Sequence, residues 1–323
     1  MGTTSELLGS KIQIGPAGWS YQDWRGVVYP TPRPRGFHEA SYLAHYFPVI
    51  EINTSFYRPP RPELSRLWVK RIEGIPRFQF TAKLYHVFTH ERILNREDVR
   101  VFKDGIAPLL EAGRLGALLM QFPWSFRATK ENQQYLQRLR KAFRGLPLVA
   151  ELRHADWNQV DPLRRLADDE IGFANIDQAQ LPHSMPPTAH VTSPIGYVRL
   201  HGRNYQEWFT SANGSALAHG LTPVQARYNY LYSSDQLKNW RPRIEAVSQQ
   251  AATTFVVTNN HFRGQAVVNA LQLMSMTSGR RVNVPPKLLQ AYPELAPITD
   301  NMPRQRSLFV LPYTEAPRYR LAS

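Results

Sequence analysis

Nine polar side chains with chemical potential close short apolar runs along the chain: Glu51, Lys83, Gln121, Glu151, Arg153, Asp177, Arg199, His201 and Asn259. Charged groups are rarely buried without partners, so an apolar run that empties into charge marks a buried element reaching a cavity. Glu51 and Glu151 would act as general base and acid if their surroundings pulled their pKa values apart. His201 suits a proton shuttle or an electrophile. Lys83 would form a Schiff base if desolvated, and with arginine neighbours it would equally hold an anion. Glu51, Glu151, His201 and Lys83 are therefore the candidate catalytic residues. The plainer reading of the same types is two internal ion pairs, Glu51–Lys83 and Glu151–Arg153, that tie strands together.

The loops add a second class of candidates. Trp19, Tyr21, Tyr57 and Trp157 would stack on a sugar ring or base, or else form the small core of a lid. With them, Asn53, Gln121, Arg153, Asp177, Arg199, Asn259 and Asn260 complete the expected substrate-binding set. For metals, His86, His90, His201 and His261 with Glu51, Glu151 and Asp177 supply suitable ligand types for zinc or manganese. No HExxH spacing is present, so no cofactor is expected, and a divalent cation is the alternative. Gly15-Pro16-Ala17-Gly18 lacks the spacing of a dinucleotide-binding loop.

What must position these residues is a series of strands. The clearest is the first half of the ten-residue stretch Leu148–Trp157, closed off upstream by Gly145 and Pro147 and apolar until the stretch empties into Glu151, Arg153, His154, Asp156 and Trp157. Similar runs occur at Lys11–Gly15, Val49–Asn53, Phe78–Leu84, Leu115–Phe122, Gly172–Asp177, Gly196–His201 and Thr254–Thr258. Helical periodicity separates most of them, as at residues 63–73, 98–112, 129–143, 160–169, 234–250 and 264–276, with Ser234 read as an N-cap. Short helical crossovers between buried strands imply parallel pairing. Eight such units predict a single α/β (β/α)8 barrel with long loops over its C-terminal mouth, where barrel sites lie; an open sheet of six or seven strands is the alternative. The expected organisation is an N-terminal extension (1–10), the barrel (11–295) and an irregular C-terminal tail (296–323).

Composition narrows the class. The chain has 323 residues with no cysteine, which excludes disulfides, thiolate metal sites and a cysteine nucleophile. No apolar run approaches the ~18 residues of a membrane span, and Met1–Ser10 lacks the basic and apolar regions of a signal peptide, so a cytoplasmic protein is expected. The formal net charge is +14. Such an excess favours a polyanionic partner, with Arg25, Arg33, Arg35, Arg58, Arg203, Arg227 and Lys238 as its track, unless the arginines simply solvate the surface.

Several stretches together resemble the DUF72 (YecE-like) family: Gly15-x-x-Gly18-Trp19-Ser20-Tyr21-x-x-Trp24, Glu51-Ile52-Asn53-x-Ser55-Phe56-Tyr57 and Phe80-Thr81-Ala82-Lys83 with Thr89-His90. Further matches are Gln121-Phe122-Pro123-x-Ser125-Phe126, Glu151-Leu152-Arg153-His154-x-x-Trp157, Arg199-x-His201-Gly202 and Asn259-Asn260-His261. They spread from about Ile12 to about Tyr292. The resemblance implies a TIM-type barrel and, since the family name denotes unknown function, no particular activity. The expected function is an enzyme of hydrolase or isomerase type that binds a small phosphorylated, sugar-like or nucleotide-like anion at the barrel mouth. A nucleic-acid-binding or nucleic-acid-processing barrel and a non-catalytic binding platform are the alternatives.

Overall fold

All eight apolar runs form strands, because each is too short and too evenly apolar to offer a helix one wet face. The computed structural model describes residues 11–204 and 223–300. The strands are β1 (Ile12–Pro16), β2 (Val49–Ile52), β3 (Gln79–Lys83), β4 (Leu115–Gln121), β5 (Leu148–Glu151), β6 (Gly172–Asp177), β7 (Ile195–Leu200) and β8 (Thr253–Thr258). They pair in parallel in the order β1-β8-β7-β6-β5-β4-β3-β2. Between β1 and β2 the ring closes by a single bridge, Ala17 to Glu51, with the Gly18 amide donating to the Glu51 carbonyl at 2.8 Å. Expectations that fall on residues 1–10, 205–222 and 301–323, including the N-terminal extension and most of the C-terminal tail, lie outside the described residues.

Helices cover the outside: α1 (Glu39–Ala44), α2 (Thr54–Tyr57), α3 (Pro62–Arg71), α4 (Arg96–Glu111), α5 (Lys130–Ala142), α6 (Val160–Asp168), α7 (Pro223–Tyr228), α8 (Ser234–Gln250), α9 (Gln265–Ser278) and α10 (Pro286–Ala291). The N-cap of α8 is Ser233 rather than Ser234. Its hydroxyl accepts from the Gln236 amide while the Gln236 side chain accepts from the Ser233 amide, a reciprocal capping box that the neighbouring serine, already helical, cannot form. At the C-terminal end, residues 296–300 pack back onto the barrel. Thr299 is buried and the Asp300 amide donates to the Val282 carbonyl at 3.0 Å.

The barrel interior is filled rather than hollow. Gln13 and Gln79 meet at 3.1 Å near its lower end. Above them, Phe255 packs where Gly116 leaves room; a Cβ there would lie 2.3 Å from the ring. Closure between β1 and β2 depends on another glycine. A Cβ on Gly15 would sit 1.8 Å from the Val49 carbonyl oxygen, a backbone atom that cannot swing away. Gly15→Ala is therefore expected to lower stability by about 2–3 kcal/mol, through strands forced apart rather than a lost contact. Urea unfolding measures this, and a variant as stable as the parent would show that closure tolerates the wider spacing.

The long loop 19–35, expected over the mouth, is anchored there by its own core. Trp24, Val28 and Tyr29 are fully buried. The Trp24 indole donates to the His261 carbonyl at 2.6 Å, and the Tyr29 hydroxyl donates to the Trp19 carbonyl at 2.6 Å.

Candidate functional site

Side chains alternate between the faces of a strand, so the register decides which polar residues enter the barrel. Glu51 aligns with Thr81, Lys83 with Leu119, Gln121 with Glu151 and Arg199 with Val257. This register, with the bonds below, sets Glu51, Lys83, Gln121, Glu151, Arg199, His201 and Asn259 on the inner face at the C-terminal end. Asp177 aligns with Leu200, one step out of phase with Arg199. It faces outward, accepting from the Trp240 indole of α8 at 2.7 Å and from Arg203 at 2.9 Å. Asn260 is likewise turned out, donating to the Tyr230 carbonyl and to Asn269 Oδ1 of α9, each at 2.7 Å. Trp157 is buried in a stack on Phe126 and donates to the Phe126 carbonyl at 2.7 Å. These three expected ligand contacts serve instead to seat helices and loops.

Arg199 is the hub of the inner cluster and is fully buried. Its Nη2 donates to Glu51 Oε1 at 2.7 Å and its Nε to Glu51 Oε2 at 3.1 Å. Its Nη1 donates to Glu151 Oε2 at 2.9 Å and to Gln121 Oε1 at 3.1 Å. Arg153 clamps the other Glu151 oxygen through Nε and Nη2 at 2.8 and 2.7 Å. Tyr197 donates to Glu51 Oε2 at 2.9 Å and lies 3.1 Å from Thr81 Oγ1. The carboxylates are thus shared between two guanidiniums in a form that satisfies most of their lone pairs, which is what makes buried charge tolerable. The expected pairs Glu51–Lys83 and Glu151–Arg153 both exist, but as branches of this larger network. Lys83 Nζ stands 3.9 Å from Glu51.

Burial alone would raise both carboxyl pKa values, but neighbouring cations and hydrogen-bond donors overrule it. Arg199, Lys83 and Tyr197 hold Glu51 below the usual carboxylate range, and His201, Arg199 and Arg153 hold Glu151 well below it. The two acids are therefore not pulled apart into a base and an acid; both stay ionised at neutral pH. His201 is pushed down to about 4, mainly by burial, with Arg199 adding to it. It is a neutral imidazole whose Nδ1 accepts from the Asn259 amide at 3.1 Å, leaving Nε2–H to face Glu151 Oε1 at 3.2 Å. Lys83 is pushed down to about 7, first by burial and then by the Arg199 charge.

Two residues of the cluster escaped the sequence reading. Tyr197 and Thr81 precede Arg199 and Lys83 by two positions, and that period of two is the signal that finds them. The lining of the loops divides otherwise than expected. Trp19, Tyr21 and Asn53 line a cavity beside the mouth, Tyr21 stacks on His261 at 4.3 Å between ring centres, and Tyr57 lies 72% exposed. Among the described residues no three His, Asp or Glu side chains gather as a metal-ligating group, and no helix is long and apolar enough to cross a membrane. His86 is paired with Glu91, and His90 with the Thr89 hydroxyl. Of the expected basic track, Arg33, Arg203 and Lys238 are held in ion pairs with Glu39, Asp177 and Asp235.

An eight-stranded parallel barrel with a buried Arg–carboxylate network at its C-terminal mouth defines a TIM-type barrel protein. The chain belongs to the DUF72 family, a protein family of unknown function, whose model matches residues 13–293. It is similar to the UPF0759 protein YunF of Bacillus subtilis (strain 168), 27% identical over 293 residues that cover 87% of this chain and all of the relative. Among solved structures it resembles the DUF72 family protein TM1631 of Thermotoga maritima MSB8, at 32% identity and a TM-score of 0.68, covering 82% of this chain and 98% of that one. It also resembles the DUF72 family protein EF0366 of Enterococcus faecalis V583, at 28% identity and a TM-score of 0.71, covering 85% and 98%.

Proposed function

We propose that the mouth binds a small phosphorylated, sugar-like or nucleotide-like anion and carries out proton-transfer chemistry on it, of hydrolase or isomerase type. One observation carries this reading. Among the described residues the charged members of the network are sealed except at two cationic ends, Lys83 and Arg153, whose side chains are 12% and 18% exposed, while those of Glu51, Glu151 and Arg199 are at 0%; Gln121, half-buried beside them, is neutral. An incoming ligand meets positive charge first. Arg153 offers its guanidinium to the anion, and Lys83 is the proton carrier, since a group that titrates near 7 is present in both forms at neutral pH. As an ammonium ion it attracts the anion; as an amine it takes a proton from carbon or water. Glu51, Glu151, Arg199, Gln121 and the His201–Asn259 pair form the fixed platform that positions them.

The test is calorimetric titration with inorganic phosphate, sugar phosphates and mononucleotides. Saturable binding is expected for at least one of them, with Arg153→Ala weakening it at least about tenfold, a loss of about 1.4 kcal/mol. Melting curves of the variant verify that the barrel stays folded. Binding unchanged by Arg153→Ala would sink the assignment. A steep salt dependence for polynucleotides, with no small-anion binding, would favour a nucleic-acid partner instead.

A further inference from the structure

Beside the mouth, between the β1 and β2 loops and α3, lies a separate cavity of 350 Å³. Its walls are the aromatic and aliphatic faces of Trp19, Tyr21, Leu64 and Trp68. Trp19 and Trp68 meet edge to face at 5.8 Å, so the wall they make is rigid. Among the described residues no carboxylate lines the cavity, and Arg58, exposed at its rim, is the one side chain there that is charged at neutral pH. His38, also lining it, is pushed below its ordinary pKa by burial and by Arg71, and is neutral.

The polar atoms of the wall point to the ligand's chemistry. The Tyr21 hydroxyl donates to the Ala17 carbonyl at 2.9 Å, so its oxygen must accept from the Asn53 amide nitrogen at 3.3 Å. That fixes the orientation of the amide and leaves Asn53 Oδ1 as an acceptor. Asn53 Oδ1 and His38 Nδ1 are both buried and have no hydrogen-bond partner among the described residues. Buried polar atoms are nearly always paired, and two unpaired ones in the walls of one cavity mark hydrogen bonding that the chain does not complete by itself. Both atoms are covered as they stand. A ring N–H seated in the cavity would draw the Asn53 carbonyl oxygen toward it by a small turn, and His38 Nδ1 would pair with a ring donor or acceptor according to its tautomer.

We infer that this cavity binds a one- or two-ring nitrogen heterocycle that carries an N–H donor and an anionic substituent. The ring lies against Trp19 and Trp68, the N–H reaches Asn53 Oδ1, and the anion meets Arg58 at the rim. The volume sits at the low end of the roughly 300–1,000 Å³ of small-molecule sites, which admits rings of this size and excludes larger ligands. None of Glu51, Lys83, Glu151, Arg153 and Arg199 lines this cavity, so its ligand is not the anion of the mouth.

Orotate and urate are the probes, with uracil as the uncharged ring and benzoate as the anion without a ring N–H. Binding is read by tryptophan fluorescence, to which Trp19 and Trp68 contribute, and by calorimetry. At least one of orotate and urate is expected to saturate below about 1 mM, with uracil and benzoate at least about tenfold weaker. Arg58→Ala should weaken binding about tenfold, and Leu64→Trp should fill the cavity and abolish it. Leu64 is only partly buried; if its variant fails to fold, Arg58→Ala decides alone, since Arg58 is exposed. Absence of saturable binding by either heterocycle, or affinity unchanged in Arg58→Ala, overturns the inference. Affinity lost in Arg153→Ala instead would place the heterocycle in the mouth and overturn it as well.

Discussion

Replacing Arg199 by methionine is expected to lower the free energy of unfolding by about 3–5 kcal/mol, the range for removing one partner of a buried ion network. Arg199 supplies bonds to both Glu51 and Glu151, and all three side chains are fully buried. Without it, two carboxylates remain in a low-dielectric interior with Arg153 and Lys83 as their cations. They must then stay charged and poorly solvated or take up protons. The triple variant Arg199→Met, Glu51→Gln, Glu151→Gln should recover much of the loss, because it removes the charges together. Urea unfolding of the two variants and the parent measures the difference. An Arg199→Met protein within about 1 kcal/mol of the parent would mean that the cluster is far better solvated than its burial implies. The same carboxylates set the acid limb. Their folded pKa values lie below the unfolded one near 4.5, so the stability they contribute is complete above that pH and is lost as the pH falls through the folded values.

Lys83→Met should have the opposite sign. The Lys83 ammonium is disfavoured in the folded protein, its pKa falling from 10.5 to about 7, so below about pH 10.5 the unfolded chain binds the proton more readily. Folding therefore loses stability as pH drops from 10.5, by about 1.4 kcal/mol per unit, until the loss is complete below about 7. At pH 6.5 the methionine variant is expected to be about 5 kcal/mol more stable than the parent, narrowing to about 1 kcal/mol by pH 9.5. A protein stabilised by losing a buried lysine has kept that lysine for a purpose other than folding, which is the stability–function trade-off of an active site. Should the variant be less stable than the parent across the whole range, the Lys83–Glu51 attraction outweighs burial, and Lys83 is a structural cation that stays protonated at neutral pH.

The two glutamates, the lysine and the arginine at strand ends were legible as a group because a buried strand that ends in charge has few physical explanations. Their division of labour was not. Glu51 and Glu151 read as an acid–base pair from residue type alone, yet pKa values follow from neighbours, and the neighbour that fixes both is Arg199, 148 and 48 positions away along the chain. Lys83 drew attention as one chemistry among several. Only its burial beside a second cation shows why it, rather than either carboxylate, titrates near neutrality.

The sequence by itself determined the barrel. Eight short apolar runs separated by amphipathic helices favour a closed parallel barrel over an open sheet of six or seven strands, and family motifs spread over the chain agree with that fold. It also placed all eight strands to within two residues, since hydrophobic periodicity is a local property. What only the tertiary structure decided was the face on which each strand-end residue lies. A shift of one residue turns a side chain from the barrel interior to the helices outside, so Asp177 and Asn260, at strand ends like the others, seat α8 and α9 while Arg199 and Asn259 enter the mouth. Register is fixed by pairing between strands distant in sequence, and that pairing is visible only once the barrel has closed.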